Sequence, residues 1–83
     1  MRLLYFAWVR ARIGAGSEEL ELPAAVKDVA GLVAWLQGRS PGHAEALKDP
    51  SKLRVAVNQD YVGFDHPVRS GDEVAIFPPV TGG

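Results

Sequence analysis

The two residues at the end of the sequence, Gly82 and Gly83, form the pattern that points most directly to chemistry. Because glycine has no Cβ, such a pair can pass through a channel too narrow for any side chain. The reactive group at the end of this tail is expected to be the α-carboxylate of Gly83. At about 7% glycine per position, a terminal pair arises by chance in about one chain in 200, so we interpret it as functional.

A carboxylate at neutral pH is a poor electrophile, because attack on it must expel oxide from an already anionic group. An acyl-adenylate has a good leaving group, and a sulfur donor could then convert the Gly83 carboxylate into a nucleophilic thiocarboxylate. The sequence contains no cysteine, so it cannot supply that sulfur or form an internal thioester. We therefore expect the adenylating enzyme and the persulfide donor to be other proteins.

Other candidate catalytic groups lack partners in the sequence. His43 and His66 are isolated, and neither stands at metal-ligand spacing from another histidine or an acidic pair. The serines lie in turn or loop contexts outside a G-x-S-x-G motif: Ser17, Ser40, Ser51 and Ser70. Two acidic pairs are adjacent in the sequence, Glu18-Glu19 and Asp72-Glu73. Neighbours on a strand face opposite ways, so neither pair converges on a substrate. We predict that the chain is not catalytic alone.

Composition narrows the class of protein. Eighty-three residues suit one small domain, and the absence of cysteine excludes a disulfide-stapled fold. Nine basic against ten acidic residues give a net charge of −1, with no pull toward nucleic acid or an anionic membrane. No signal peptide or apolar run of about 20 residues is evident. We expect a cytoplasmic protein without a nucleic-acid or membrane partner.

Hydrophobic patterning predicts a strand at residues 2–10 and a second, alternating strand at 18–22, paired as an antiparallel hairpin. A helix follows Pro23, with an apolar stripe of Val29, Leu32, Val33 and Leu36. Asp28 is the predicted N-cap of this helix. Gly38 is expected to end it in the left-handed conformation.

The second half of the sequence predicts a helical turn at 44–48 and three strands, at 53–58, 61–64 and 73–77. Pro78 and Pro79 stop the last strand, because proline cannot donate to a ladder. We therefore predict an α+β domain over residues 1–77, followed by a flexible tail over 78–83. Its mixed sheet has about five strands, and one main helix packs across one face.

The first and last strands are the predicted central, parallel pair, and both have apolar residues on both faces. One helix can cover only one face, so the other is expected to be a partner surface. The residues predicted for that surface are Phe6, Trp8, Ala56, Ala75 and Phe77. The alternative is that loops cover it.

Four segments together resemble the small, sulfur-carrier subunits of molybdopterin synthase. They are Asn58-Gln59, Phe64-Asp65-His66-Pro67, Gly71-Asp72-Glu73-Val74-Ala75 and the final Phe77-Pro78-Pro79-Val80-Thr81-Gly82-Gly83. The resemblance extends over the whole chain, including Phe6-Ala7 and Val9-Arg10, and is strongest from about residue 55 onward. It implies a ubiquitin-like β-grasp fold, in agreement with the element order.

The resemblance also implies a mechanism in which Gly83, preceded by Gly82, carries sulfur. A ubiquitin-activating-like adenylyltransferase would use ATP and magnesium, and a persulfide donor would supply the sulfur; the chain itself would bind no cofactor. The tail would then enter the synthase large subunit and donate sulfur to cyclic pyranopterin monophosphate, in a heterotetramer. The implied partner contacts are Phe6, Trp8, Ala75, Phe77, Pro78, Pro79, Val80 and Thr81.

Three other interpretations remain open at this point. A sulfur carrier for thiamine thiazole or tRNA thiolation would share the fold, although the run from Phe77 to Val80 argues against it. A ubiquitin-like modifier joined to lysines would share the activated intermediate. The third interpretation is a binding module in which the Gly-Gly end is incidental and is not activated.

Overall fold

In the computed structural model, which describes residues 1–79, five strands form one mixed sheet. The strands are β1 (Arg2–Tyr5), β2 (Ser17–Glu19), β3 (Arg54–Val57), β4 (Asp60–Val62) and β5 (Glu73–Phe77). Their spatial order is β2-β1-β5-β3-β4. The central strands β1 and β5 run parallel, while the other neighbouring pairs are antiparallel. The predicted α+β class and central parallel pair are confirmed.

The helices in the described part of the chain are α1 (Ala7–Ile13), α2 (Val29–Gln37) and α3 (Pro41–Ala46), and a short 3₁₀ turn spans Pro50–Lys52. The main helix, α2, buries the whole predicted apolar stripe. Asp28 caps it as predicted, because its Oδ1 accepts a 2.8 Å hydrogen bond from the Gly31 amide. Helix α3 begins earlier than the predicted 44–48 turn, since Pro41 fits the first helical position.

The predicted left-handed conformation at Gly38 is wrong. Gly38 has a φ of −86°. Its N–H donates to the carbonyl of Trp35 at 3.2 Å, three residues back. The last turn of α2 thus tightens into 3₁₀ geometry, which satisfies a terminal carbonyl without a positive φ.

The predicted first strand over residues 2–10 is wrong beyond Tyr5. Helix α1 begins at Ala7 and buries Val9, while Ile13, four residues later, packs on the same core. A spacing of four residues is typical of one face of a helix. In so short a segment the same apolar residues also fit the alternation of a strand, so the pattern alone does not separate the two. Gly14 ends the helix at a φ of +90°, its N–H bonded to the carbonyl of Arg10. Strands β1 and β2 pair antiparallel as predicted, but a helix rather than a turn connects them, and β2 ends at Glu19 rather than residue 22.

The core lies between the helices and one face of the sheet. The central strands contribute Leu3, Tyr5, Val74 and Ile76, which are all buried. The register pairs Leu3 with Val74 and Tyr5 with Ile76, so these side chains form one layer beneath the helices. Alternation sends Ala75 and Phe77 to the opposite face of the sheet.

Neither a helix that could span a membrane nor a cluster of metal-ligating side chains occurs in the described part of the chain, residues 1–79. No helix there is long and apolar enough to cross a membrane. The same residues contain no group of three or more His, Cys, Asp or Glu side chains placed to hold a metal ion.

Candidate functional site

An open groove of about 580 Å³ lies on the sheet face turned away from α2. We call it the apolar groove, because seven of the nine residues that line it have apolar side chains. The lining residues are Phe6, Ala7, Ala56, Gln59, Tyr61, Ala75, Phe77, Pro78 and Pro79. It therefore offers a partner an apolar surface with few hydrogen-bonding groups.

Small side chains form the floor of the groove. Ala75 of β5 stands in register with Ala56 of β3 and Leu4 of β1. Ala56 and Ala75 line the groove and Leu4 does not, and because alanine has a single methyl group the sheet surface is low at these two residues. The floor is thus set by the alternation of β5, whose Val74 and Ile76 face the core.

Aromatic side chains form two edges of the groove. Phe6 precedes α1 and is 48% exposed, and its N–H donates to the carbonyl of Ile76 at 3.3 Å. On the other edge the rings of Tyr61 and Phe77 lie 5.6 Å apart between centroids. Tyr61 is 81% exposed, so together with Phe6 and Phe77 it adds to a contiguous apolar surface of the kind that marks interaction sites.

The structure brings together most of the residues predicted for the partner surface. Phe6, Ala56, Ala75 and Phe77 share the groove with Pro78 and Pro79, directly beyond the end of β5. A partner seated in the groove would therefore touch the root of the tail. The predicted sites at Val80, Thr81, Gly82 and Gly83 lie outside the described residues.

The predicted place of Trp8 on this surface is wrong. Trp8 belongs to α1, where it packs against the edge of the core. The Arg12 guanidinium lies over its ring, 4.5 Å from the centroid. This pair lines a separate, smaller depression with residues of α3 and the segment after it. The error follows from extending the strand beyond Tyr5.

The sequence interpretation missed three residues of the groove, Ala7, Gln59 and Tyr61. For Tyr61 a signal was present, because β3 and β4 pair antiparallel and place it opposite Ala56. Cross-strand partners share a face, so Tyr61 joins whichever face Ala56 occupies. Ala7, the first residue of α1, and Gln59, in the turn between β3 and β4, both have a positive φ, which no periodicity reveals.

A partly buried polar cluster lies on the core side of the sheet, and it shows that the prediction of an isolated His43 is wrong. Glu18 Oε2 accepts from the Tyr5 hydroxyl at 2.7 Å and from the His43 Nε2 at 2.8 Å. His43 Nδ1 lies 2.7 Å from Ser40 Oγ. Glu18 and His43 are 25 residues apart in the sequence, so spacing motifs could not reveal the contact.

Electrostatics in this cluster favour an ionised Glu18. Burial alone would raise the pKa of the Glu18 carboxyl, but hydrogen bonds from His43 and Tyr5 outweigh it and hold that pKa below its usual range. Burial, reinforced by the hydrogen bond to Glu18, raises the pKa of the Tyr5 hydroxyl far above its ordinary value. Tyr5 therefore stays protonated as a donor and Glu18 stays charged as an acceptor.

The cluster has the residue types of a serine–histidine–carboxylate relay, but its hydrogen bonds are structural. Ser40 Oγ also accepts from the backbone N–H of His43 at 3.1 Å, which makes it the N-cap of α3. The cluster thereby fastens α3 to β1 and β2.

A family model, a sequence relative and a solved structure all relate this chain to the same group of proteins. The model of the ThiS family matches residues 3–83. The molybdopterin synthase sulfur carrier subunit of Escherichia coli is 46% identical over all of this chain and 99% of its own length. A Pyrococcus furiosus structure, provisionally named molybdopterin converting factor, subunit 1, is 32% identical with a TM-score of 0.77, covering 95% of each chain.

The same fold occurs in a protein of a different name. The small archaeal modifier protein 1 of Haloferax volcanii has a TM-score of 0.75 and is 22% identical, covering 96% of this chain and 97% of its own. At that identity the likeness extends to the fold alone, a ubiquitin-like β-grasp. The family assignment rests on the sequence matches, which run the length of the molecule. The chain belongs to the ThiS family and, within it, to the molybdopterin synthase sulfur carrier subunits.

Proposed function

We propose that this chain carries sulfur on its last residue for the synthesis of molybdopterin. The α-carboxylate of Gly83 is adenylated, converted to a thiocarboxylate and used as the sulfur donor to cyclic pyranopterin monophosphate. The observation that supports this best is the full-length match to a sulfur carrier subunit, together with a family match that runs through Gly83.

The proposed activation takes place on a partner enzyme. A carboxylate oxygen of Gly83 attacks the α-phosphorus of ATP, with magnesium present, and displaces pyrophosphate. The outer sulfur of a persulfide then attacks the acyl carbon and expels AMP. This forms a C–S bond and gives an acyl disulfide that retains the S–S bond of the persulfide. A thiol then attacks the donor's sulfur and breaks that S–S bond, which leaves the thiocarboxylate on Gly83 and a disulfide on the donor. Because this chain has no cysteine, all of these sulfur atoms come from other proteins.

Sulfur delivery takes place in a second partner, the large subunit of the synthase. We propose that this subunit covers the apolar groove, because the groove continues into Pro78 and Pro79 at the root of the tail. Extended at about 3.3–3.6 Å per residue, the segment from Pro78 to Gly83 spans roughly 20 Å, enough to reach a buried active site. The two prolines stiffen its base and reduce the entropy lost on insertion. Two carriers and two large subunits form the proposed heterotetramer.

Reconstitution tests the proposal. Purified carrier, loaded with sulfur by an activating enzyme, is mixed with a synthase large subunit and cyclic pyranopterin monophosphate. Formation of molybdopterin supports the proposal, and the carrier lacking Gly83 serves as the control and should give none. Failure of this assay, with sulfur delivered instead to a thiazole or thiouridine system, would assign the chain to a different thiolation pathway.

A further inference from the structure

Strands β3 and β4 are joined by a two-residue turn, Asn58 and Gln59, in which both residues have a positive φ. The φ values are 51° and 73°. This is the geometry of the hairpin turns that match the twist of a sheet, and glycine is the residue preferred at the second position. Gln59 occupies that second position, where the backbone conformation favours glycine over any residue with a side chain.

The first residue of the turn has a structural reason to be there. Asparagine tolerates the left-handed backbone conformation. Both polar atoms of the Asn58 side chain also form hydrogen bonds within the fold. Its Nδ2 donates to Asp72 at 3.0 Å, and its Oδ1 accepts from the Glu73 amide at 3.0 Å. No comparable contact explains Gln59, whose exposed side chain has no hydrogen-bond partner among residues 1–79.

Gln59 also lines the apolar groove. Among the lining side chains, only Gln59 and Tyr61 have polar atoms, and the amide of Gln59 offers both a donor and an acceptor. A second groove residue, Ala7, also has a positive φ, of 53°. Backbone conformations of this kind tend to be kept where they position functional groups.

We propose that Gln59 is a specificity-determining residue whose side-chain amide hydrogen-bonds a backbone peptide group of the synthase large subunit. This inference rests on the proposed function, in which that subunit covers the groove. Covering the groove removes water from the amide, and a buried amide left unpaired is costly. A partner that offers a peptide group at this position is accepted, and one that offers an apolar surface is rejected.

Two variants separate a binding role from a turn-forming role. Gln59→Met keeps the length of the side chain and the same backbone demand but removes the amide. Gln59→Gly removes the side chain and relieves the positive φ. Binding of each full-length carrier to a purified large subunit is measured by titration calorimetry at fixed salt, and each carrier alone is melted.

We expect both variants to bind about 3- to 10-fold more weakly, the loss of one hydrogen bond. The thermal midpoint of Gln59→Gly alone should be no lower than that of the wild type, because the side chain makes no contribution to the isolated fold. Equal or tighter binding by Gln59→Met, or a lower midpoint for Gln59→Gly, would overturn the inference alone. If the wild type does not bind the large subunit, the proposed function fails as well.

Discussion

The ring of Phe77 packs against the ring of Tyr61 across the sheet, with centroids 5.6 Å apart and planes tilted by 44°. Phe77 is the last residue of β5 and Tyr61 the middle residue of β4, so the pair joins the end of the fold to its edge strand. Since the tail begins at the next residue, this aromatic edge links the groove to the proposed sulfur-carrying terminus.

Replacing Phe77 with alanine tests whether the groove binds the large subunit. We expect Phe77→Ala to weaken association by about 2 kcal/mol or more, roughly 30-fold, as for a buried aromatic anchor. The measurement is the dissociation constant from titration calorimetry.

The matched control for Phe77 is Trp8→Ala, which removes an aromatic side chain from α1, outside the groove. It should lower the thermal midpoint, because Trp8 packs on the core, and leave the dissociation constant within about twofold. If Trp8→Ala weakened binding more than Phe77→Ala, the interface would lie on α1 instead.

A second prediction concerns the buried hydroxyl of Tyr5. Tyr5→Phe removes the donor to Glu18 and leaves His43 as the remaining partner of that oxygen. We expect the free energy of unfolding to fall by about 1 kcal/mol, measured by urea denaturation. Tyr61→Phe is the control, since that side chain is 81% exposed and should change nothing. Equal stability of all three proteins would show that the Tyr5 hydroxyl contributes no net stabilisation.

The cluster also predicts how stability depends on pH. The folded state holds the pKa of Glu18 below its ordinary value of 4.5, so the unfolded chain takes up the proton more readily. The stabilisation is therefore fully present above that ordinary value and is lost as the pH falls through the folded pKa. By urea denaturation, the wild type should have a higher free energy of unfolding than Glu18→Gln near neutral pH, and this difference should shrink in acid. A difference that is constant with pH would contradict the ionised state of Glu18.

Lengthening the chain tests the requirement for a glycine carboxylate at the end. One alanine added after Gly83 turns the reactive carboxyl into an amide and places a methyl group in the narrow channel. We expect ATP–pyrophosphate exchange with the activating enzyme to be lost, while the circular dichroism spectrum stays unchanged. Normal exchange by the lengthened chain would show that the terminal glycine is not the site of activation.

Much of the fold could be predicted from the sequence, because local patterns were unambiguous there. The stripe from Val29 to Leu36 and the cap at Asp28 predicted α2, and alternation bounded by Pro78 predicted β5. Helix α1 was missed because its apolar residues fit a strand as well as a single helical face, and the error carried Trp8 to the wrong surface. Only tertiary packing, in which Val9 is buried, decides between a strand and a helix for this segment.

The candidate site was predictable where it followed from alternation and hidden where it depended on turns or distant contacts. Ala75 and Phe77 could be assigned to one face because β5 is regular. The groove position of Gln59 depends on a positive φ, and the contact of Glu18 with His43 crosses 25 residues. Neither leaves a periodic trace in the sequence.

Intact-mass spectrometry of the loaded carrier shows whether Gly83 holds the sulfur atom. The carrier is incubated with ATP, magnesium, an activating enzyme and a persulfide source, with the chain lacking Gly83 in parallel. We expect a mass gain equal to one oxygen replaced by one sulfur, located on Gly83 by fragmentation and absent from the shortened chain. If the carrier supports molybdopterin synthesis without this mass change, Gly83 does not carry the sulfur.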